Sequence, residues 1–296
     1  MMSLINKKSE TSLGISFSIA EVICTITIAS IVKFIAIELS VFMILFFRYL
    51  FCIPLLLIMS IYQRQSKAFN IVSKSTLAIR TMTGLGSFGC LFAALQFIDL
   101  SLMTTLLQTM PLFVTLLAPI VIKEVVGWYR KIIVLVGFIG VTLILKPFSE
   151  EWKNFGIILG VLSPFFGALM TIYVRKLSLT DHPTTTALWY NIIGTIVFLF
   201  ICLFNQTEFP KNNILIIFLV LIGIMSSFQQ LFLAYSLKMA PVSLLAPLRY
   251  ISVPIGIVVG VVIFDEVIST TFFLGTVIIV FSSFLIIKRE TVKKTN

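Results

Sequence analysis

Arg249 stands in the stretch LLAPLRYISVPIGIVVGVVIFDE (residues 244–266), between Pro247 and Pro254 and otherwise among apolar side chains until Asp265. An uncompensated charge in such a run costs roughly 2.5–3.5 kcal/mol on insertion scales. The chain must gain something by keeping it. Two further ionisable residues, Glu21 and Arg48, also lie inside apolar runs. A carboxylate and two guanidinium groups in apolar surroundings suit the recognition of oppositely charged groups, or proton exchange. Gln108, Tyr190, Gln229 and Tyr250 add hydrogen-bonding capacity in similar runs. Bond-making chemistry has nothing to stand on. The chain offers no Ser/His/Asp set, paired carboxylates, phosphate loop or metal cluster. The single histidine, His182, precedes Pro183 in a loop, and Cys24, Cys52, Cys90 and Cys202 all fall in apolar runs without CxxC spacing. An enzyme, a metal site, a disulfide and a cofactor are therefore not expected.

The elements that position these residues are read from composition. The chain has 296 residues, 59% hydrophobic and only 11% charged, with a mean hydropathy of +1.11. Soluble domains carry about 25% charged residues. Apolar runs recur from Leu13 to Ile287. In lipid every backbone polar group must be satisfied within its own helix, so the expected class is an all-α polytopic membrane protein. Ten spans fit, at 13–32, 38–61, 77–98, 101–123, 130–146, 155–174, 186–204, 213–237, 242–264 and 270–288. Residues 1–12 and 289–296 read as tails. The first run is long, holds Glu21 and lacks a small-residue cleavage site, so it reads as a span and not as a signal peptide.

An even number of spans puts both termini on one side, and positive charge chooses it. With a cytoplasmic N-terminus, Lys7, Lys8, Arg64, Lys67, Lys74, Lys123, Arg130, Lys131, Arg175, Lys176, Lys238, Lys288, Arg289, Lys293 and Lys294 face the cytoplasm, fifteen in all. Lys33, Lys146, Lys153 and Lys211 make four on the other side. The net charge of +10 then faces anionic membrane lipid, and nucleic acid is not an expected partner.

The chain also repeats itself. Gly14 and Gly156, Lys33 and Arg175, Glu124 and Glu266, and Lys146 and Lys288 are each 142 residues apart. The expected halves are 13–146 and 155–288. Five helices is an odd number, so the second half enters the membrane from the opposite face. Inverted repeats place a substrate site near the midplane between the halves. A receptor or membrane enzyme has no comparable need for them.

Four stretches carry a resemblance: ELSVFMILFFRYL (38–50), LAIRTMTGLGSFGCLFAAL (77–95), TLLQTMPLFVTLLAPIVIKE (105–124) and APVSLLAPLRYISVPIGIVVGVVIFDE (240–266). In this order the chain resembles the EamA-type branch of the drug/metabolite transporter superfamily. The resemblance implies ten helices in two inverted halves and a substrate that moves through a cavity between them, by exchange or proton coupling. The APLRY pattern and the AIRTMTG start of the third span are similar to the S-adenosylmethionine uptake transporters of obligate intracellular bacteria.

Each polar residue has a bland reading beside the functional one. Arg48 meets an anionic group in the cavity, or fixes packing by pairing with Glu21 or backbone carbonyls. Glu21 takes a substrate ammonium or a proton, or balances Arg48. Arg249 and Tyr250 contact substrate, or Arg249 forms a packing ion pair. Arg80, near the start of its span, is expected to reach the cytoplasmic headgroups. Gln108, Tyr190 and Gln229 are lining candidates, with Trp189, Asn191, Gln230 and Tyr235 behind them; at least one of Gln229 and Gln230 should face inward. Glu124 and Glu266 read as interfacial residues that order short turns. GLGSFG (84–89) sits inside a span and follows no strand, so it reads as close helix packing and not as a dinucleotide loop.

The expected function is a secondary carrier of the cell inner membrane for a small amphoteric metabolite such as an amino acid or S-adenosylmethionine. Its partners are that substrate, a counter-substrate or protons, and membrane lipids; it is expected as a monomer or weak homodimer. A multidrug or lipophilic-cation exporter is the alternative within the class. A non-transporting membrane sensor or assembly factor is the alternative outside it.

Overall fold

The computed structural model describes residues 2–121, 128–145, 155–239, 245 and 248–295. Among them all regular structure is helical, with no strand. The helices are α1 (Met2–Ile35), α2 (Val41–Arg64), α3 (Lys74–Ala94), α4 (Leu100–Leu107), α5 (Met110–Val121), α6 (Trp128–Leu145), α7 (Phe155–Leu177), α8 (Pro183–Phe204), α9 (Asn213–Met239), α10 (Ser252–Phe264) and α11 (Thr270–Thr295). Seven helical stretches among the described residues are long and apolar enough to cross a membrane, counting α4 and α5 as the one stretch Leu100–Val121. Three shorter apolar helices lie at Lys131–Leu145, Ser252–Phe264 and Thr270–Leu285.

α1 runs on through residues 2–12 and α11 through 289–295, the segments read as tails. Two expectations change in detail. The third span starts at Lys74 and not at 77. The fourth is two helices separated by a turn at 108–109. Lys123, Glu124, Lys146, Lys153 and Pro247 lie outside the described residues.

Local sequence explains several helix ends. The Ser40 hydroxyl accepts the Phe42 N–H at 3.3 Å and caps α2. Pro183 opens α8, where its missing N–H costs nothing. Asp265 ends α10 in the left-handed region at φ 53°, which Asp tolerates better than most residues.

The helices pair as α1 with α9, α2 with α8, α3 with α7, α4 with α10 and α6 with α11. Every pair joins an element before residue 146 to one after 154. The main core follows this seam, with Val32, Met43, Ile44, Leu45, Phe92, Leu100, Leu219 and Ile279 in one buried cluster. The outer surface is apolar too: Met82, Ile120, Leu135 and Val262 are exposed. Apolar residues inside and outside fit a bundle whose solvent is lipid. Gly84 and Gly194 are among the glycines that set close approaches. A Cβ on Gly84 would stand 2.9 Å from the Tyr190 ring, and one on Gly194 would stand 2.8 Å from the Tyr49 ring. For Gly84 this is the tight packing expected of the GLGSFG stretch.

Candidate functional site

Two helix breaks organise the site. One is the turn at 108–109, the other the turn at 250–251. They are 250 − 108 = 142 residues apart. At both, the backbone switches to bonds three residues back: Thr109 N–H to the Leu106 carbonyl at 2.9 Å, and Ile251 N–H to the Leu248 carbonyl at 3.1 Å. A proline follows each break. Pro111 and Pro254 lack the N–H that would reach Leu107 and Tyr250, and their rings crowd those carbonyls. The breaks are tied together. Gln108 Nε2 donates to Ser252 Oγ at 2.8 Å, and the Gln108 carbonyl accepts the Ser283 hydroxyl at 2.7 Å.

A first polar group gathers beside the second break. Arg249 Nη2 lies 3.8 Å from Glu21 Oε1, close enough for charge attraction but too long for a hydrogen bond. The Arg249 side chain keeps 47% of its exposure while that of Glu21 keeps 10%. Thr25, one turn after Glu21 on α1, donates to the Glu21 carbonyl at 2.9 Å and approaches its carboxylate at 3.3 Å. Gln229 on α9 donates to Thr25 Oγ1 at 2.7 Å. The structure therefore joins Glu21, Gln229 and Arg249 in one chain of contacts. Tyr250 is buried next to it. Its hydroxyl is buried without a hydrogen-bond partner, with Ser283 nearby.

A second group lies between α2, α3 and α8. Arg48 is 1% exposed, with its guanidinium carbon 3.8 Å from the centre of the Phe88 ring and 5.8 Å from that of Phe92. Arg80 is also buried, and its guanidinium carbon sits 3.8 Å over the Tyr190 ring. The Tyr190 and Tyr49 hydroxyls share a hydrogen bond of 2.8 Å, and Tyr49 stacks on Phe198. Among the described residues neither arginine forms an ion pair with a carboxylate.

Two sequence expectations need correction. Arg80 does not reach toward headgroups. Its helix starts earlier than expected, about two turns before Arg80, and the side chain is buried against the Tyr190 ring. Glu21 faces Arg249, so the suggested pairing of Glu21 with Arg48 is absent from the structure. Gln229 and Gln230 both find protein partners: Gln230 accepts from Asn191 Nδ2 at 3.3 Å. Trp189 donates its indole N–H to the Phe69 carbonyl at 2.9 Å, in keeping with an anchor near a span end. Arg80, Tyr49 and Thr25 were not legible as site residues. One signal pointed to Tyr49: the Arg-Tyr dipeptide occurs twice in apolar runs, at 48–49 and 249–250.

A third group closes one end of the bundle. Glu266, in the turn after α10, accepts Lys33 Nζ at 2.8 Å, the Leu100 N–H at 2.6 Å, and the Ser101 N–H and hydroxyl at 3.0 and 2.6 Å. It thus caps α4 and holds the end of α1, a longer reach than the expected ordering of its own turn. Burial alone pushes the Glu266 carboxyl up. The Lys33 ammonium, the Ser101 hydroxyl and the two backbone N–H groups outweigh it and hold the group below its usual value of 4.5.

An apolar helical bundle with two broken spans, and a buried carboxylate facing a half-exposed arginine beside one of them, fits a polytopic membrane protein built to pass a solute. The chain belongs to the EamA-like transporter family, whose model matches residues 12–146 and again 154–288. It is 31% identical over 188 residues to a riboflavin transporter of Vibrio cholerae, an alignment that spans 64% of this chain and 62% of that protein. It is 26% identical over 263 residues to an S-adenosylmethionine uptake transporter of Rickettsia conorii, covering 87% of this chain and 86% of that one. A solved crystal structure, 14% identical, superposes with a TM-score of 0.63 over 93% of this chain and 95% of its own, and shares the fold. The protein is a transporter of a small molecule and not an enzyme.

Proposed function

We propose that the protein is a secondary carrier of the cell inner membrane that moves a small amphoteric metabolite, such as an amino acid or S-adenosylmethionine, by alternating access. The meeting of the two broken spans beside the Glu21–Arg249 pair carries this reading. Broken helices lining a midplane cavity are how many secondary carriers present charge and free backbone groups to a solute. Glu21 suits an ammonium-type group, and the arginines suit an anionic one. Gln108, Gln229 and Tyr250 at the breaks, and Arg48 and Tyr190 between α2, α3 and α8, complete the lining in this reading.

The two halves are related by inversion and contain ten spans, α4 and α5 forming the fourth. Three observations support this. The two family matches are offset by 154 − 12 = 142 and 288 − 146 = 142 residues. The helix breaks share that offset. The packing pairs also survive exchange of the halves: α1–α9 becomes α7–α3, and the other three pairs map onto themselves. Ten spans bring both termini to one side, and the split of fifteen basic residues against four supports the cytoplasmic side.

The substrate class follows from charge. A lipophilic cation meets repulsion from Arg48, Arg80 and Arg249. S-adenosylmethionine, for which a relative is named, carries both a carboxylate and cationic groups. The test is reconstitution into liposomes with labelled amino acids, S-adenosylmethionine, riboflavin and a lipophilic cation. Accumulation of an amphoteric solute is expected. Movement of the lipophilic cation alone would install the exporter reading, and movement of none would favour a non-transporting role. Reporter fusions at Asn296 test the orientation; a reporter active only in the periplasm would overturn it.

A further inference from the structure

The Glu21–Arg249 pair leaves two cations unaccounted for. Arg48 and Arg80 are 1% and 8% exposed, and in each the Nε and Nη1 atoms are buried without a hydrogen-bond partner. Aromatic faces offset part of a buried charge. They do nothing for N–H donors that lie in the plane of the guanidinium, and a buried unpaired donor is costly. A packing arginine would have those donors met by carbonyls or a carboxylate. Here four nitrogens wait for acceptors.

The surroundings are arranged around those donors. Arg80 and Gly84 share one face of α3, four residues apart. The missing Cβ of Gly84 lets α3 approach the Tyr190 ring, on which the Arg80 guanidinium lies. The Tyr190 hydroxyl meets that of Tyr49, the residue after Arg48. Both arginines are within electrostatic reach of both tyrosines and of each other. Two buried like charges around one tyrosine pair, with no carboxylate paired to either among the described residues, call for an anion.

We propose that Arg48 and Arg80, with Tyr190 between them, form a subsite for an oxyanion, the carboxylate or phosphate group of the carried solute. This rests on the transport reading above and names which end of the solute enters this part of the bundle. Arginine suits the task because its planar fork of donors matches an oxyanion and stays charged at any working pH. The cationic end of an amphoteric solute is then left for Glu21.

The test does not require the substrate. Full-length wild type, Arg80→Met and Arg48→Met are melted in detergent at constant ionic strength, with chloride exchanged for acetate or for phosphate. A saturable rise of a few degrees is expected in wild type with at least one of the two anions, and its loss in both variants. Acetate alone assigns a carboxylate, and phosphate alone a phosphate group. In chloride the variants should melt at or above wild type, because each removes an unpaired buried charge. No saturable rise in wild type, an equal rise in the variants, or variants that melt well below wild type in chloride would each overturn the subsite. Failure of the transport reading appears elsewhere, as absent liposome uptake beside an intact thermal response.

Discussion

Lys33 Nζ lies 2.8 Å from Glu266 Oε1, so the end of α1 is tied to the turn after α10 across 233 residues of sequence. The Glu266 side chain is 2% exposed and that of Lys33 16%. The same carboxylate holds the start of α4, so one residue joins three helices at this end of the bundle. Removing one partner of a buried pair costs about 3–5 kcal/mol, because the other is left uncompensated. Glu266→Gln should approach that loss, since Asp99 offers Lys33 only a longer contact at 3.7 Å from a half-exposed side chain. Lys33→Ala should destabilise too, and the double variant should lose less than the sum. Unfolding midpoints in detergent measure all three. Strictly additive losses would remove the pair as a unit.

The same group sets an acid limit. The Glu266 carboxyl is held below its usual 4.5 in the folded protein. An unfolded chain therefore binds its proton first as pH falls, and the stabilisation is present above about 4.5 and lost as pH drops through the depressed value. Asp181 adds to the same window. Burial works against its ionisation, but hydrogen bonds from Thr180, Val72 and Ser73, with the Arg64 charge nearby, hold it below the usual 3.8. Asp99 runs the other way, raised by burial and by the Glu266 charge. Melting midpoints should stay level from neutral pH to about 5 and fall below 4.5. The gap between wild type and Glu266→Gln should close across that fall. A constant gap down to the most acid buffer would contradict the assignment.

Tyr49 and Tyr190 offer a cleaner cycle, because one hydrogen bond of 2.8 Å joins two fully buried hydroxyls. Tyr49→Phe or Tyr190→Phe alone strands the other hydroxyl and should cost about 1–3 kcal/mol. The double variant removes both polar groups and should be no worse than either single one. Chemical unfolding of the four proteins gives the coupling directly. Zero coupling would mean that the two hydroxyls do not depend on each other.

The class was legible in composition, because lipid permits few solutions and long apolar runs announce themselves; the family was legible only through the resemblance that four stretches carry. The third group was half legible: Lys33 and Glu266 were noted as landmarks of the repeat, yet nothing local says they touch. The break at 108–109 was readable in principle. Pro111 stands in that span as Pro254 does in the ninth, but a single apolar run hides a turn in its middle. Arg80 was misjudged for a different reason. Its depth depends on where α3 begins, and helix starts are the least certain feature of a sequence reading. Its direction depends on Gly84, whose absent side chain matters only once Tyr190 is known to lie opposite.

Arg249 and Glu21 separate binding from packing. If their contact served stability, removing either partner would strand a buried charge. The geometry argues against this, since the pair is 3.8 Å apart and the Arg249 side chain is nearly half exposed. A loose pair whose arginine stays half in solvent is worth about 1 kcal/mol, and Thr25 remains beside the Glu21 carboxylate when the arginine is removed. Arg249→Ala should therefore express and melt close to wild type while losing transport affinity, with the apparent KM raised about tenfold or more, roughly 1.4 kcal/mol of lost solute interaction. Glu21→Gln keeps the bond from the Thr25 hydroxyl to the backbone carbonyl of residue 21 and removes the charge. It should impair a substrate that carries an ammonium group and spare an analogue that lacks one. Proteoliposome uptake, with melting curves on the same samples, measures both effects. Unchanged kinetics in Arg249→Ala would take this residue out of the site, and a collapsed melting curve would return it to a packing role.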